Sequence, residues 1–92
     1  MRFEWDTDKA ARNNQAHGIS FDEAIEVFTD PNAFEDFDPS HSDVEPRYRR
    51  VGLSSRRLLL VVFAERAENV IRIVSARKST TKERERYEEA QG

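Results

Sequence analysis

The chain has no cysteine, which excludes a disulfide framework, a thiol nucleophile and a thiolate metal site. Its three glycines, Gly18, Gly52 and Gly92, stand far apart, so no glycine-rich loop is available to cradle a phosphate. No apolar run approaches the roughly 18–20 residues of a membrane-spanning helix. The opening Met1-Arg2-Phe3-Glu4-Trp5-Asp6 lacks the apolar stretch of a signal peptide. A soluble, cytoplasmic protein with no membrane partner is therefore expected. No serine sits in a nucleophile-elbow motif. His17 and His41 have no third ligand at zinc spacing. Asp36, Asp38, Ser40 and Ser42 alternate as calcium ligands do, but His41 replaces the required glycine and Arg47 the bidentate glutamate. No metal or cofactor is expected.

What is present is charge, at 36% of residues, and it is unevenly divided. Residues 1–46 carry three bases against twelve acids, and residues 47–92 twelve bases against six acids, giving −9 and +6. Such asymmetry fits a polyanion surface, an acidic partner, or two halves that neutralise one another across the fold. The length, 92 residues, allows one domain (1–92) and no second core.

Phe3-Glu4-Trp5 reads as a short strand. Asp6 suits an N-cap, Asp8 the first turn, and Gly18 a left-handed stop, predicting a helix from about Thr7 to Ala16. Ser20 and Glu23 have capping-box spacing, with Ile19 and Ala24 at the positions of a hydrophobic staple. Phe21, Ala24, Ile25 and Phe28 then give one apolar face, and Asp30-Pro31 ends that second helix. Residues 33–46 are acidic and carry Pro39 and Pro46; they read as an ordered excursion rather than a core element. Three strands are predicted at about Arg47–Leu53, Leu58–Ala64 and Val70–Ala76, joined by short turns. Thr80 and Glu83 open a last, highly charged helix to about Ala90. The order is β-α-α-β-β-β-α. The fold class is α+β, a small antiparallel sheet with helices packed against it.

Arginine is the residue type on which chemistry can be built. Arg47 and Arg49 share one strand parity and Tyr48 and Arg50 the other. Arg72 lies among apolar neighbours, where a guanidinium must reach water, an acid or an anion. The planar fork of arginine suits phosphate and stabilises charge developing on it. Arg47, Arg72 and Arg77 are the candidate phosphate ligands, with Arg49 beside them. Arg72 and Arg77 have opposite parity, so a regular strand offers one site only one of them, and Arg72 is preferred. A bulge or an early turn would allow both. Glu45, Glu65 and Glu83 offer these arginines a purely structural alternative. Tyr48 and Tyr87 are candidates to stack on RNA bases. His17, at a helix C-terminus that favours a cationic imidazole, and Glu83 are candidates for proton transfer.

Several segments resemble one family. Phe3-Glu4-Trp5-Asp6, Lys9, Asn13, His17-Gly18-Ile19-Ser20-Phe21 and Asp22-Glu23-Ala24 are similar to the opening signature of BrnT-type toxins. Arg47-Tyr48 with Val51-Gly52, Leu59-Leu60-Val61-Val62-Phe63 and Ile71-Arg72-Ile73-Val74-Ser75-Ala76-Arg77-Lys78 resemble its strands, and Glu83-Arg84 with Tyr87 its terminal helix. Val74 stands where isoleucine is usual, and Ala16 where many members have lysine. The resemblance implies a RelE-like fold and the toxin half of a bacterial type II toxin–antitoxin pair. It implies an RNA endonuclease that inhibits translation. It also implies neutralisation by a BrnA-type antitoxin, through which alone the complex would meet DNA. The nucleophile would be RNA's own 2′-hydroxyl, with no metal required. The residues taken alone also allow a non-enzymatic module whose basic face docks an acidic protein.

Overall fold

A computed structural model of the chain describes residues 1–41 and 45–91, with His41 described in its backbone alone. Ser42 and Asp43, within the acidic excursion, lie outside the described residues. The elements in chain order are β1 (Arg2–Glu4), α1 (Thr7–His17), α2 (Phe21–Ala24), a 3-10 turn (Ile25–Thr29), β2 (Phe34–Phe37), a second 3-10 turn (Pro39–His41), β3 (Tyr48–Leu53), β4 (Leu58–Ala67), β5 (Val70–Lys78) and α3 (Thr81–Glu89). The strands form one sheet ordered β1-β5-β4-β3-β2. Only β1 runs parallel to its neighbour; the other pairings are antiparallel.

The expected caps form. Asp6 accepts from the N–H groups of Asp8 and Lys9, and Gly18 ends α1 at φ 68°, a conformation that glycine adopts without a Cβ penalty. The Thr80–Glu83 capping box is complete. The Ser20 box is half made: its hydroxyl accepts from Glu23 N–H, but the Glu23 carboxylate turns to Arg57 and Ser54 instead.

Two elements depart from expectation. The second helix narrows after Ala24 into a 3-10 turn. At three residues per turn, the buried apolar residues become Phe21, Ala24 and Val27. Arg50 donates to the Val27 and Asp30 carbonyls at the end of this turn, adding to the backbone bonds they accept from Asp30 and Ala33 N–H. The acidic excursion also supplies a strand. β2 pairs Glu35 with Arg50 and Asp36 with Arg49 along β3, and Glu35 adds an ion pair to Arg50 at 2.7 Å. Cross-strand charge partners thus add to the packing of Phe34 and Phe37 at the ends of this strand.

The sheet is covered on both faces. Helices α1 and α2 pack on one face against Leu59, Val61, Phe63, Ile71, Ile73 and Ala76. On the other, Tyr87 of α3 packs with Val51, Leu58, Leu60 and Val62. Every β4 residue from Leu58 to Ala64 is buried, as its unbroken apolar run predicts. Gly52 is required by closeness: a Cβ there would stand 3.0–3.2 Å from Ala33 and Val27.

Because β1 covers only Val70–Arg72, the rest of β5 has an open edge. Asn13 of α1 closes it. Its buried amide donates to the Ala76 and Ile19 carbonyls and accepts from Ala76 N–H at 2.9–3.0 Å, acting as one residue of a missing strand. This docks the end of α1 against β5.

Candidate active site

On β5 the pairing with β4 slips by one residue: Val62 faces Ser75 while Phe63 faces Ile73. Val74 is the extra residue of a β-bulge, a device that re-aims side chains. Ile71, Ile73 and Ala76 all point to the α1–α2 face, a step of two and then of three. Arg72 and Arg77 therefore share the α3 face despite their opposite sequence parity. Their cross-strand partners Ala64 and Leu60 have equal parity on β4, in agreement.

Sharing a face does not bring these arginines together, because they lie about 15 Å apart along the strand. Arg77 enters a cavity of about 360 Å³ lined also by His17, Asp38, Ser40, Arg49, Leu60, Val62 and Ser75. Arg72 is absent from that lining and pairs with Glu4 of β1 at 3.0 Å. The cavity side chains come from several elements. His17 is the last residue of α1, positioned by the Asn13 clamp. Ser75 faces inward through the bulge. Arg49 reaches up from β3, donating to the Phe37 carbonyl. Asp38 and Ser40 come from the turn after β2, where the buried Asp38 accepts from the Ser40 hydroxyl and N–H.

Arg77 is held by α3. Its two terminal nitrogens each donate to one Glu83 oxygen at 2.9 Å, and Thr80 N–H donates to the same carboxylate. Burial pushes the Glu83 carboxyl up, but Arg77 and the Thr80 N–H outweigh it and hold it below its ordinary value. Glu83 is thus an ionised anchor for the guanidinium.

The other expected site residues are placed elsewhere. Arg47 lies outside the cavity lining, 3.8 Å from Glu45. Tyr48 points to the opposite face, its ring packed against Phe37 and Phe63. Tyr87 is buried, and its hydroxyl donates to Asp30 at 2.6 Å. The Tyr87 ring is thus closed to a base, and the half-buried Tyr48 ring lies on the face away from the cavity. Ser75 carries no signal in the sequence, and Asp38 and Ser40 stand out there only in a calcium-like alternation; the bulge and the turn after β2 bring all three to the cavity. A second cavity of about 250 Å³ adjoins the first, sharing Arg49 and Leu60 with it.

The family model for BrnT, the ribonuclease toxin of type II toxin–antitoxin systems, matches residues 5–83. The chain belongs to the BrnT family. Comparison with curated proteins gave no match. Among solved structures, the 1.1 Å crystal structure of the Brucella abortus ribonuclease toxin BrnT is similar in fold. It superposes with a TM-score of 0.65 at 19% identity, over 88% of this chain and 99% of that one. The α+β architecture expected from the sequence is thus that of a BrnT toxin, and family membership carries a ribonuclease role with an antitoxin partner. The matched region includes His17, Arg49, Arg77 and Glu83, and so takes in the candidate site. No helix among the described residues is long and apolar enough to cross a membrane.

Proposed function

We propose that this BrnT-family toxin is a metal-independent RNA endonuclease acting in the cytoplasm. In this reading, Arg49 and Arg77 hold the scissile phosphate. The 2′-hydroxyl attacks it, its proton passing to water, and the bond to the 5′-oxygen breaks. Arginine forks stabilise the added negative charge of the phosphorane. His17 gives a proton to the departing 5′-oxygen, and Glu83 keeps the Arg77 guanidinium in orientation. The products are a 2′,3′-cyclic phosphate and a 5′-hydroxyl. Cleavage of messenger RNA would stop translation, and a BrnA-type antitoxin would neutralise the toxin and carry the complex to DNA.

The observation that supports this reading best is the convergence on one cavity of an imidazole and two guanidinium groups from α1, β3 and β5. The pairing of Arg50, Arg57, Arg72 and Arg86 with the chain's own acids leaves fewer cations for the alternative, a non-enzymatic module that docks an acidic protein. Purified protein incubated with RNA and EDTA separates the two. Fragments ending in 2′,3′-cyclic phosphate are expected; intact RNA, with or without ribosomes, favours the docking module.

A further inference from the structure

We propose that the second cavity is a nucleobase subsite, in which the stacked pair Arg86–Phe34 receives the base of a nucleotide flanking the scissile phosphate. The proposal rests on the ribonuclease reading above and extends it to how the RNA strand is gripped.

The cavity is floored by Val51 and Leu60, walled by Phe34 and Arg86, and edged by Arg49 and the exposed Lys82. The Arg86 guanidinium carbon lies 4.1 Å from the centroid of the Phe34 ring, so one face of the guanidinium plane is covered. Both its terminal nitrogens donate to Asp36, which fixes the plane, while the side chain stays 56% exposed. A planar cation with one face packed and the other open is a stacking platform for any base. An ordinary surface ion pair has no such requirement and gains little from being held flat. Lysine in place of Arg86 would keep the charge and lose the plane.

Position supplies the second support. The two cavities share Arg49 and Leu60, forming one trough across the α3 face of the sheet. A phosphate held between Arg49 and Arg77 leaves the attached nucleotide beside the apolar floor, where a base can leave water without losing its ring edges to solvent. Lys82 at the rim suits the next phosphate. The lining also holds Asp36 and Glu83, but Arg86 and Arg77 neutralise them. Arg49 and Lys82 beside a planar, apolar interior thus match single-stranded RNA, whose unstacked bases are recognised by stacking.

The test scans a short oligoribonucleotide with abasic substitutions around its mapped cleavage site. It measures both single-turnover cleavage and binding of the uncleavable 2′-O-methyl version. Wild-type protein is expected to show one flanking position where removing the base weakens cleavage and binding about 5- to 100-fold, the range for one stacked base. Arg86→Lys and Arg86→Ala are expected to lose sensitivity at that position alone. Arg84→Ala, on the same helix outside both cavities, is expected to keep the wild-type profile. Cleavage with no position sensitive to Arg86 would overturn the subsite and leave the ribonuclease reading standing. Absent cleavage with base-dependent, Arg86-dependent binding would overturn the ribonuclease reading alone. If Arg86→Lys weakens only the antitoxin complex, the platform belongs to a protein partner and the subsite is overturned.

Discussion

Arg77 and Arg72 lie on one strand and one face, yet they meet different surroundings. Arg77 opens onto the cavity in a two-pronged pair with Glu83, and Arg72 sits over β1 with Glu4. Apolar neighbours made Arg72 the more conspicuous of the two in the sequence, but a partly exposed pair with Glu4 is sufficient to satisfy its charge. Arg77→Ala is expected to lower RNA cleavage about ten- to a hundredfold, the loss of one charge-assisted phosphate contact. Arg72→Ala is expected to cleave at about the wild-type rate. Cleavage rates of both variants, compared after matching their thermal melts, check this assignment; equal losses would place the phosphate elsewhere on the sheet.

Among the elements, α3 has the largest effect on the site relative to its size. It is polar almost throughout, and Tyr87 is its buried residue, so packing alone holds it weakly. The Thr80 cap fixes its start, and the same Glu83 carboxylate that completes the capping box also grips Arg77. Thr80→Ala is expected to cost about 1 kcal/mol, a fall in Tm of roughly 4–8 °C, and to slow cleavage as Arg77 loses its fixed partner. Thr80→Ser keeps the hydroxyl and should retain both. A drop in Tm without any change in cleavage would show that the cap serves the helix alone. The β5 bulge and the Asn13 clamp make the same point for the strand. One extra residue turns Arg77 and Ser75 toward α3, and one buried amide brings His17 to them.

For the whole molecule, the acidic and basic halves fold onto one another. Glu4, Glu23, Glu35 and Asp36 of the first half pair with Arg72, Arg57, Arg50 and Arg86 of the second. Arg57 and Ser54 hold the Glu23 carboxyl below its ordinary value against the opposing effect of burial, and Arg86 does the same for Asp36. Burial pushes Asp30 up, but the Tyr87 hydroxyl and the Leu53 and Asn32 N–H groups outweigh it. Carboxyls with depressed values stabilise the fold above the unfolded range, 3.8 to 4.5. That stability is lost as pH falls below this range and the unfolded chain takes up protons first. Tyr87 has the opposite sense. Burial and the Asp30 carboxylate raise it from 10.0 to about 12, so its contribution is full below pH 10 and is lost as pH rises from 10 toward 12. Urea midpoints measured against pH should fall at both ends, and Tyr87→Phe should flatten the alkaline fall. An unchanged alkaline slope in that variant would assign it to other groups.

Much of this architecture is legible from local chemistry. Asp6, Gly18 and Thr80 mark helix ends because capping needs only neighbours within a turn or so. β3, β4 and β5 are visible because a buried strand needs an apolar run, and Leu58–Phe63 supplies one. The family signature spread over β1, α1 and β5 is carried by short local segments and needs no tertiary contact to be read. What the tertiary structure alone decided depends on pairing partners distant in sequence. β2 is a strand because β3 offers it a pairing edge, with Glu35 held by Arg50 of β3 and Asp36 by Arg86 of α3. Arg50 also ties the end of the second helix to β3 through the Val27 and Asp30 carbonyls. The Val74 bulge, set by register against β4, reverses a parity that a regular strand would have imposed. It turns Arg77 to the face that Arg72 also occupies and so opens Arg77 onto the cavity, and neither strand alone contains the information to do so.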